Sequence, residues 1–146
     1  MDKLSVYRFE LAIICFQKEF AERLRAKENE KNYSKLSVFS NYYFDIKIRM
    51  DVKASAFYPQ PKVNSQILEI KRNKKIDIER EEEFFNLIKA IFCYKRKTLN
   101  NALKYSKGVL EKEINTDNID SILLQKKVIS LNLDDLVTVY EKINIK

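Results

Sequence analysis

Two stretches of the chain hold residue types whose spacing could do chemistry. In Ser55–Lys62 (SAFYPQPK), Phe57 and Tyr58 stand before two prolines and a lysine. Pro59 and Pro61 fix their own φ and push Tyr58 and Gln60 towards extended backbone. A loop stiffened this way holds an aromatic ring in place at small ordering cost. Such a ring can stack on a nucleobase, an interaction worth about 1–3 kcal/mol per base, while Lys62 serves the neighbouring phosphate. The same composition also suits a Phe57 that plugs a core, with prolines that only shape a connection.

The second stretch is Ala90–Gly108 (AIFCYKRKTLNNALKYSKG). It carries Lys95, Arg96, Lys97, Lys104 and Lys107 without an acid, and Tyr94 and Tyr105 interleave. One reading is a solvated helix end whose cations match the helix dipole. The other is a face that contacts phosphates, displaces counterions and therefore binds in a salt-sensitive way. Asn100 and Asn101 add hydrogen-bonding groups common on any helix surface. Near the end of the first strand, Glu19 offers a carboxylate, for which an ion pair with Arg23 one turn on is the plainer role.

Absences narrow the chemistry further. The chain has no histidine, which removes imidazole acid–base catalysis, histidine metal sites and a Ser–His triad. Its one glycine, Gly108, is far from any suitable strand, so no glycine-rich turn brings backbone N–H groups close to a nucleotide. Cys15 and Cys93 lie in apolar segments without metal-ligand spacing, and are expected as buried, reduced core thiols. No metal site is expected. A net charge of +7, from 28 basic and 21 acidic residues, permits an anionic partner without proving one. No apolar run approaches the roughly 20 residues that span a bilayer. Charges interrupt Asp2 to Glu10, against a signal-peptide pattern. A soluble cytoplasmic protein is expected.

The elements that must position these residues follow from periodicity. Phe9–Phe16 (FELAIICF) is a nearly unbroken apolar run, which suits a strand buried on both faces, as in a parallel sheet. Gln17–Lys27 turns to helical spacing, with Phe20 and Leu24 four apart. Ser34–Phe44 mixes strand-favouring residues with helical spacing of Leu36, Phe39 and Tyr43, and is assigned to helix. Asp45–Val52 alternates cleanly, as a half-buried strand does, and Val63–Arg72 resumes strand character. After Lys75 the pattern turns helical. An acidic Asp77–Glu83 leads into an apolar stripe, and basic Lys95–Lys97 follows it. Further helices are expected over Thr98–Lys112, Thr116–Leu124 and Leu133–Ile143, the last capped by Asn132. The expected fold is therefore α/β followed by all-α. About three strands are few for an open sheet, and a doubly buried first strand needs neighbours that the sequence does not supply. This suggests a chain that starts in the middle of a domain.

Four segments, in this order, resemble the ribosomal RNA adenine dimethyltransferases of the KsgA type, with wording closest to archaeal members. They are FQKEFAERL (Phe16–Leu24), YSKLSV (Tyr33–Val38), SAFYPQPKVNS (Ser55–Ser65) and FCYKRKTLNNAL (Phe92–Leu103). The succession closes with KKVISLNLDDL (Lys126–Leu136), so the resemblance covers nearly the whole chain. The F-x-P-x-P-K-V pattern is also similar to antibiotic-resistance methyltransferases acting on large-subunit RNA; R-K-T-L-x-N favours the KsgA type.

The resemblance implies the C-terminal part of a Rossmann-like methyltransferase domain over residues 1–75. A small helical, RNA-facing domain over 76–146 follows. It implies S-adenosylmethionine-dependent dimethylation of adenosine N6 in small-subunit ribosomal RNA, with the target adenine leaving its stack. It places Phe57 at the family's adenine-stacking aromatic, Lys62 in the frame around it, and Lys95, Arg96 and Lys97 on the RNA side; the basic-face reading of Ala90–Gly108 adds Lys104. The family's glycine-rich donor loop, its acidic ribose-binding residue and its Asn-Leu-Pro-Tyr motif all precede the FQKEFAERL segment, and none stands in this sequence. Tight donor binding and catalysis by these residues alone are not expected. A non-catalytic RNA-binding or ribosome-assembly module is the alternative. Expected partners are small-subunit ribosomal RNA or the pre-ribosomal small subunit, and a separate N-terminal fragment.

Overall fold

The computed structural model describes residues 9–110 and 114–145. The chain divides into two compact units. One comprises Met1–Ala26 and Leu36–Asp77, the other Lys27–Lys35 and Ile78–Lys146.

The first unit is a three-stranded antiparallel sheet with two helices. Strand β1 (Leu11–Gln17) leads into helix α1 (Lys18–Arg25). Helix α2 (Lys35–Tyr43) runs into β2 (Phe44–Val52), and β3 (Ser65–Arg72) completes the sheet in the order β1-β3-β2. Register sets Ile14 beside Leu68 and Ile46 beside Ile70. With period-2 side chains, Ala12, Ile14, Phe16, Leu68 and Ile70 share one face. Helix α1 packs against β3 and buries Ala21 and Leu24. Its final carbonyls would lack partners, and α2 supplies them. Ser37 Oγ donates to Arg23 O at 2.6 Å, Ser40 Oγ donates to Leu24 O, and Asn41 Nδ2 donates to Ala26 O at 3.1 Å.

Four expectations for this unit are corrected. Strand β1 pairs only with β3 among the described residues, and antiparallel, so it is not a strand of a parallel sheet. Nor is it buried on both faces: Leu11 and Ile13 are 51% and 57% exposed. An apolar run reports what a strand is made of, not what covers it. Cys15, on the same open face, is exposed instead of being a core thiol. The alternation of β2 is also interrupted. The pairing shifts between Ile48 and Met50, so Met50 lies opposite Ile67 and is 54% exposed. A bulge of this kind turns the following side chains to the other face.

The second unit is mostly helical. Helices α3 (Glu81–Phe92), α4 (Leu99–Leu110), α5 (Ser121–Gln125) and α6 (Leu133–Lys142) are joined by the short pair β4 (Ile114–Asn115) and β5 (Asn144–Ile145). Phe84, Leu87, Ile88 and Ile91 form the buried stripe of α3; Leu99, Ala102 and Leu103 of α4 and Leu136 and Val139 of α6 share this core. Glu81–Glu83 lie in the first turn of α3 and Lys89 in its last. The helix ends at Phe92, so the cation of its last turn is Lys89, and Lys95–Lys97 lie beyond it. Cys93, at the C-cap of α3, is exposed, with its thiol donating to Lys89 O. Asn132 caps α6 as expected, inside a reciprocal capping box with Asp135. Among the described residues, no helix is long and apolar enough to cross a membrane.

Candidate nucleic-acid interface

In the first unit, the loop between β2 and β3 carries the proline-flanked aromatics. A single 3-10 turn, Ala54–Ala56, opens it, and Phe57 N–H donates back to Ala54 O at 3.2 Å. The Tyr58–Pro59 peptide is cis. Asn64 ties the mouth of the loop. Its Oδ1 accepts from Ala54 N–H at 3.0 Å, and its backbone carbonyl accepts from Lys18 N–H, at the start of α1, at 2.9 Å. Between these anchors Phe57 is 39% exposed and Tyr58 fully so, at 102%. Phe57 is thus no core plug. Lys62 is exposed on the same loop.

One more ionic feature of this unit bears on the sheet. Glu69, buried on β3, accepts from Arg49 Nε at 2.6 Å and also from its Nη2, and Lys71 lies 3.8 Å away. The Arg49 hydrogen bond holds the Glu69 carboxyl below its ordinary pKa against the opposing effect of desolvation, with the charges of Arg49, Lys71 and Lys47 helping.

In the second unit, the basic run leaves α3 and enters α4 through a turn-rich segment held by Lys126–Ile129. Leu99 N–H donates to Lys126 O, Val128 N–H to Lys97 O and Ile129 N–H to Lys95 O, at 2.8–3.0 Å. This pairing sets Thr98 opposite Lys127, and it separates the basic residues by role. Lys95 turns its ammonium onto the Lys27–Lys35 loop, donating to Lys31 O at 3.2 Å and Tyr33 O at 3.0 Å. The loop is also held by Tyr33 Oη donating to Leu131 O at 2.9 Å, and by Asn29 N–H donating to Ile129 O. Asn29 has φ 68°, the left-handed conformation that asparagine tolerates. The Tyr33 ring stands edge-on to Phe92, and burial raises its phenol well above the ordinary tyrosine pKa.

Arg96, Lys97 and Lys104 are exposed, and among the described residues no acidic side chain pairs with them. Sequence reasoning did not single out Lys127, exposed beside Thr98, although the Lys126–Lys127 doublet was a visible signal. Lys126 itself pairs with Asp135 at 3.1 Å.

The family described as ribosomal RNA adenine dimethylase matches residues 1–144. The chain is a member of that family. It is 34% identical over 142 residues to the ribosomal RNA small subunit methyltransferase A of Thermotoga maritima, covering 97% of this chain and 47% of that protein. It is 37% identical over 153 residues to the probable enzyme of the same name from Pyrococcus furiosus, covering 99% of this chain and 54% of the relative. Bacterial and archaeal relatives thus match alike. A dimethyladenosine transferase from Plasmodium falciparum has the same fold, with TM-score 0.79 and 26% identity, over 94% of this chain and 59% of that one. The chain spans about half the length of these curated relatives.

A methyl donor needs a site, and the residues present do not fit one. The single glycine lies in α4, and no described strand-to-helix junction offers a glycine turn that would let backbone N–H groups approach a nucleoside.

Proposed function

We propose that this chain supplies the RNA-contacting part of an S-adenosylmethionine-dependent ribosomal RNA adenine N6-dimethyltransferase of the small subunit. In this reading the first unit is the C-terminal part of a Rossmann-like domain, and the second is the helical RNA-facing domain of a cytoplasmic enzyme. The observation that carries it is the exposed Phe57 on a loop fixed at its mouth by Asn64, within a family match that spans the chain. A flipped adenine stacks on Phe57, and Lys62 accompanies its backbone. Arg96, Lys97 and Lys104 contact phosphates, while Lys95 chiefly holds the Lys27–Lys35 loop. An ammonium has three donors, and two of those of Lys95 are committed to backbone carbonyls.

The exocyclic amine of adenine is a weak nucleophile, because its lone pair is delocalised into the ring. Holding the base in a fixed place is what a stacking residue contributes. The donor belongs to residues other than these. Strand β1 stands at the edge of the sheet, paired with β3 alone among the described residues, and this supports a separate N-terminal piece as the partner that completes the sheet. A non-catalytic RNA-binding or ribosome-assembly role is favoured by one observation, the lack of any glycine-rich turn.

Two measurements test the reading. Single-stranded RNA carrying 2-aminopurine should be quenched by the chain, and Phe57→Ala should weaken binding by roughly tenfold, within the range of one lost stack. Unchanged quenching in Phe57→Ala removes the adenine assignment. Calorimetry should show no tight S-adenosylmethionine binding by these 146 residues; tight binding overturns the division of labour.

A further inference from the structure

Gly108 is the chain's only glycine, and nothing inside the fold requires it. It lies within α4 without a positive φ. Outside its own helix, no described atom comes within 4 Å of where a Cβ would sit. Glycine inside a helix weakens it relative to alanine. Here that weakness accompanies a strip of bare backbone on an exposed face.

The neighbours of that strip are informative. Lys104 and Tyr105 stand four and three residues before Gly108, one turn away on the same side of the helix. Both are exposed, as is Asn101. Tyr105 is 55% exposed, and its ring lies against Tyr94 at 5.2 Å between centroids. Tyr94 therefore supports one side of the ring and leaves much of it to solvent. Lys95, Arg96 and Lys97 follow Tyr94, and no acid interrupts Tyr94–Gly108.

We propose that this face of α4 is a second nucleobase site. An unpaired RNA base stacks on Tyr105, and its sugar–phosphate backbone crosses the bare helix at Gly108, where Lys104 and Lys107 reach the phosphate. A supported ring takes any base, since every base has a π-face. A missing side chain permits the close approach that a sugar–phosphate backbone needs. The inference rests on the RNA reading above, but it uses Tyr105 and Gly108, which that reading leaves without a role.

The test uses the full chain and a single-stranded oligoadenosine RNA bearing one 2-aminopurine. Tyr105→Ala should weaken binding by about tenfold, as loss of one stack does, and Tyr105→Phe should restore it. Gly108→Gln should raise the melting temperature, because glutamine is the better helix former, while lowering RNA affinity several-fold. Stability and affinity moving in opposite directions cannot arise from misfolding. The control removes charge at Arg96, Lys97 and Lys104 together by glutamine substitution. If the control weakens binding while Tyr105→Ala and Gly108→Gln leave it unchanged, this site is overturned and the basic face stands. If the control also changes nothing, the RNA reading falls and this site with it.

Discussion

Lys95 and Arg96 are neighbours in one run of cations, but their surroundings assign them different work. The Lys95 ammonium is committed to the carbonyls of Lys31 and Tyr33; Arg96 is exposed without an acidic partner among the described residues. Lys95→Met should cost about 1 kcal/mol of stability, the scale of a net intramolecular hydrogen bond. It should speed amide exchange in the Lys27–Lys35 loop and change the salt dependence of RNA binding less than Arg96→Gln does. Sequence could not separate the two, because what divides them is a loop more than sixty residues away along the chain. That Phe57 stands on an irregular loop was legible, since Pro59 and Pro61 follow it. Tyr58, the more exposed ring, was legible only as its neighbour. Glu69 makes a pH prediction at the same scale. Its native pKa is lowered from 4.5 by the Arg49 hydrogen bond. Its contribution to stability is therefore complete above the unfolded-state value and is lost as pH falls through the lowered native one. Glu69→Gln should flatten that part of the acid limb of a melting-temperature profile. An unchanged profile below about pH 4.5 counts against the assignment.

Elements were read best where a local signal and a tertiary need agree. Helix α6 is the clear case. Asn132 precedes an amphipathic run, and its side chain accepts from Asp135 N–H at 2.8 Å while the Asp135 carboxylate accepts from Asn132 N–H at 3.3 Å. Asn132→Ala should cost about 1 kcal/mol, and Asn132→Ser much less, measured by denaturant unfolding. Helix α2 was assigned against a mixed propensity. Its reason is tertiary, since Ser37, Ser40 and Asn41 together satisfy the end of α1. Ser40→Ala, at a fully buried position, leaves Leu24 O without this partner and should cost about 1–3 kcal/mol. Strand β1 was misread for the complementary reason. Its composition fits two covered faces, whereas the described residues cover one. The bulge in β2 was invisible to alternation counting, which assumes an unbroken register.

At the scale of the whole molecule, the family match covers nearly all of this chain and only about half of its curated relatives. The lone glycine is consistent with that proportion. A donor loop needs glycines, and the one present lies in a helix beside a tyrosine and a lysine. The order of the four matching segments was legible from sequence. The membership of Lys27–Lys35 in the second unit was not, because Tyr33, Asn29 and Lys95 reveal it only once the chain is folded. The proposed RNA face of the second unit is tested most directly by RNA affinity as a function of salt, for the natural chain and for the variant with Arg96, Lys97 and Lys104 all changed to glutamine. Each single-strand phosphate contact contributes about 0.7 to the slope of log affinity against log salt, so losing three should reduce the slope by about 2. An identical slope and affinity in the two proteins would contradict the account.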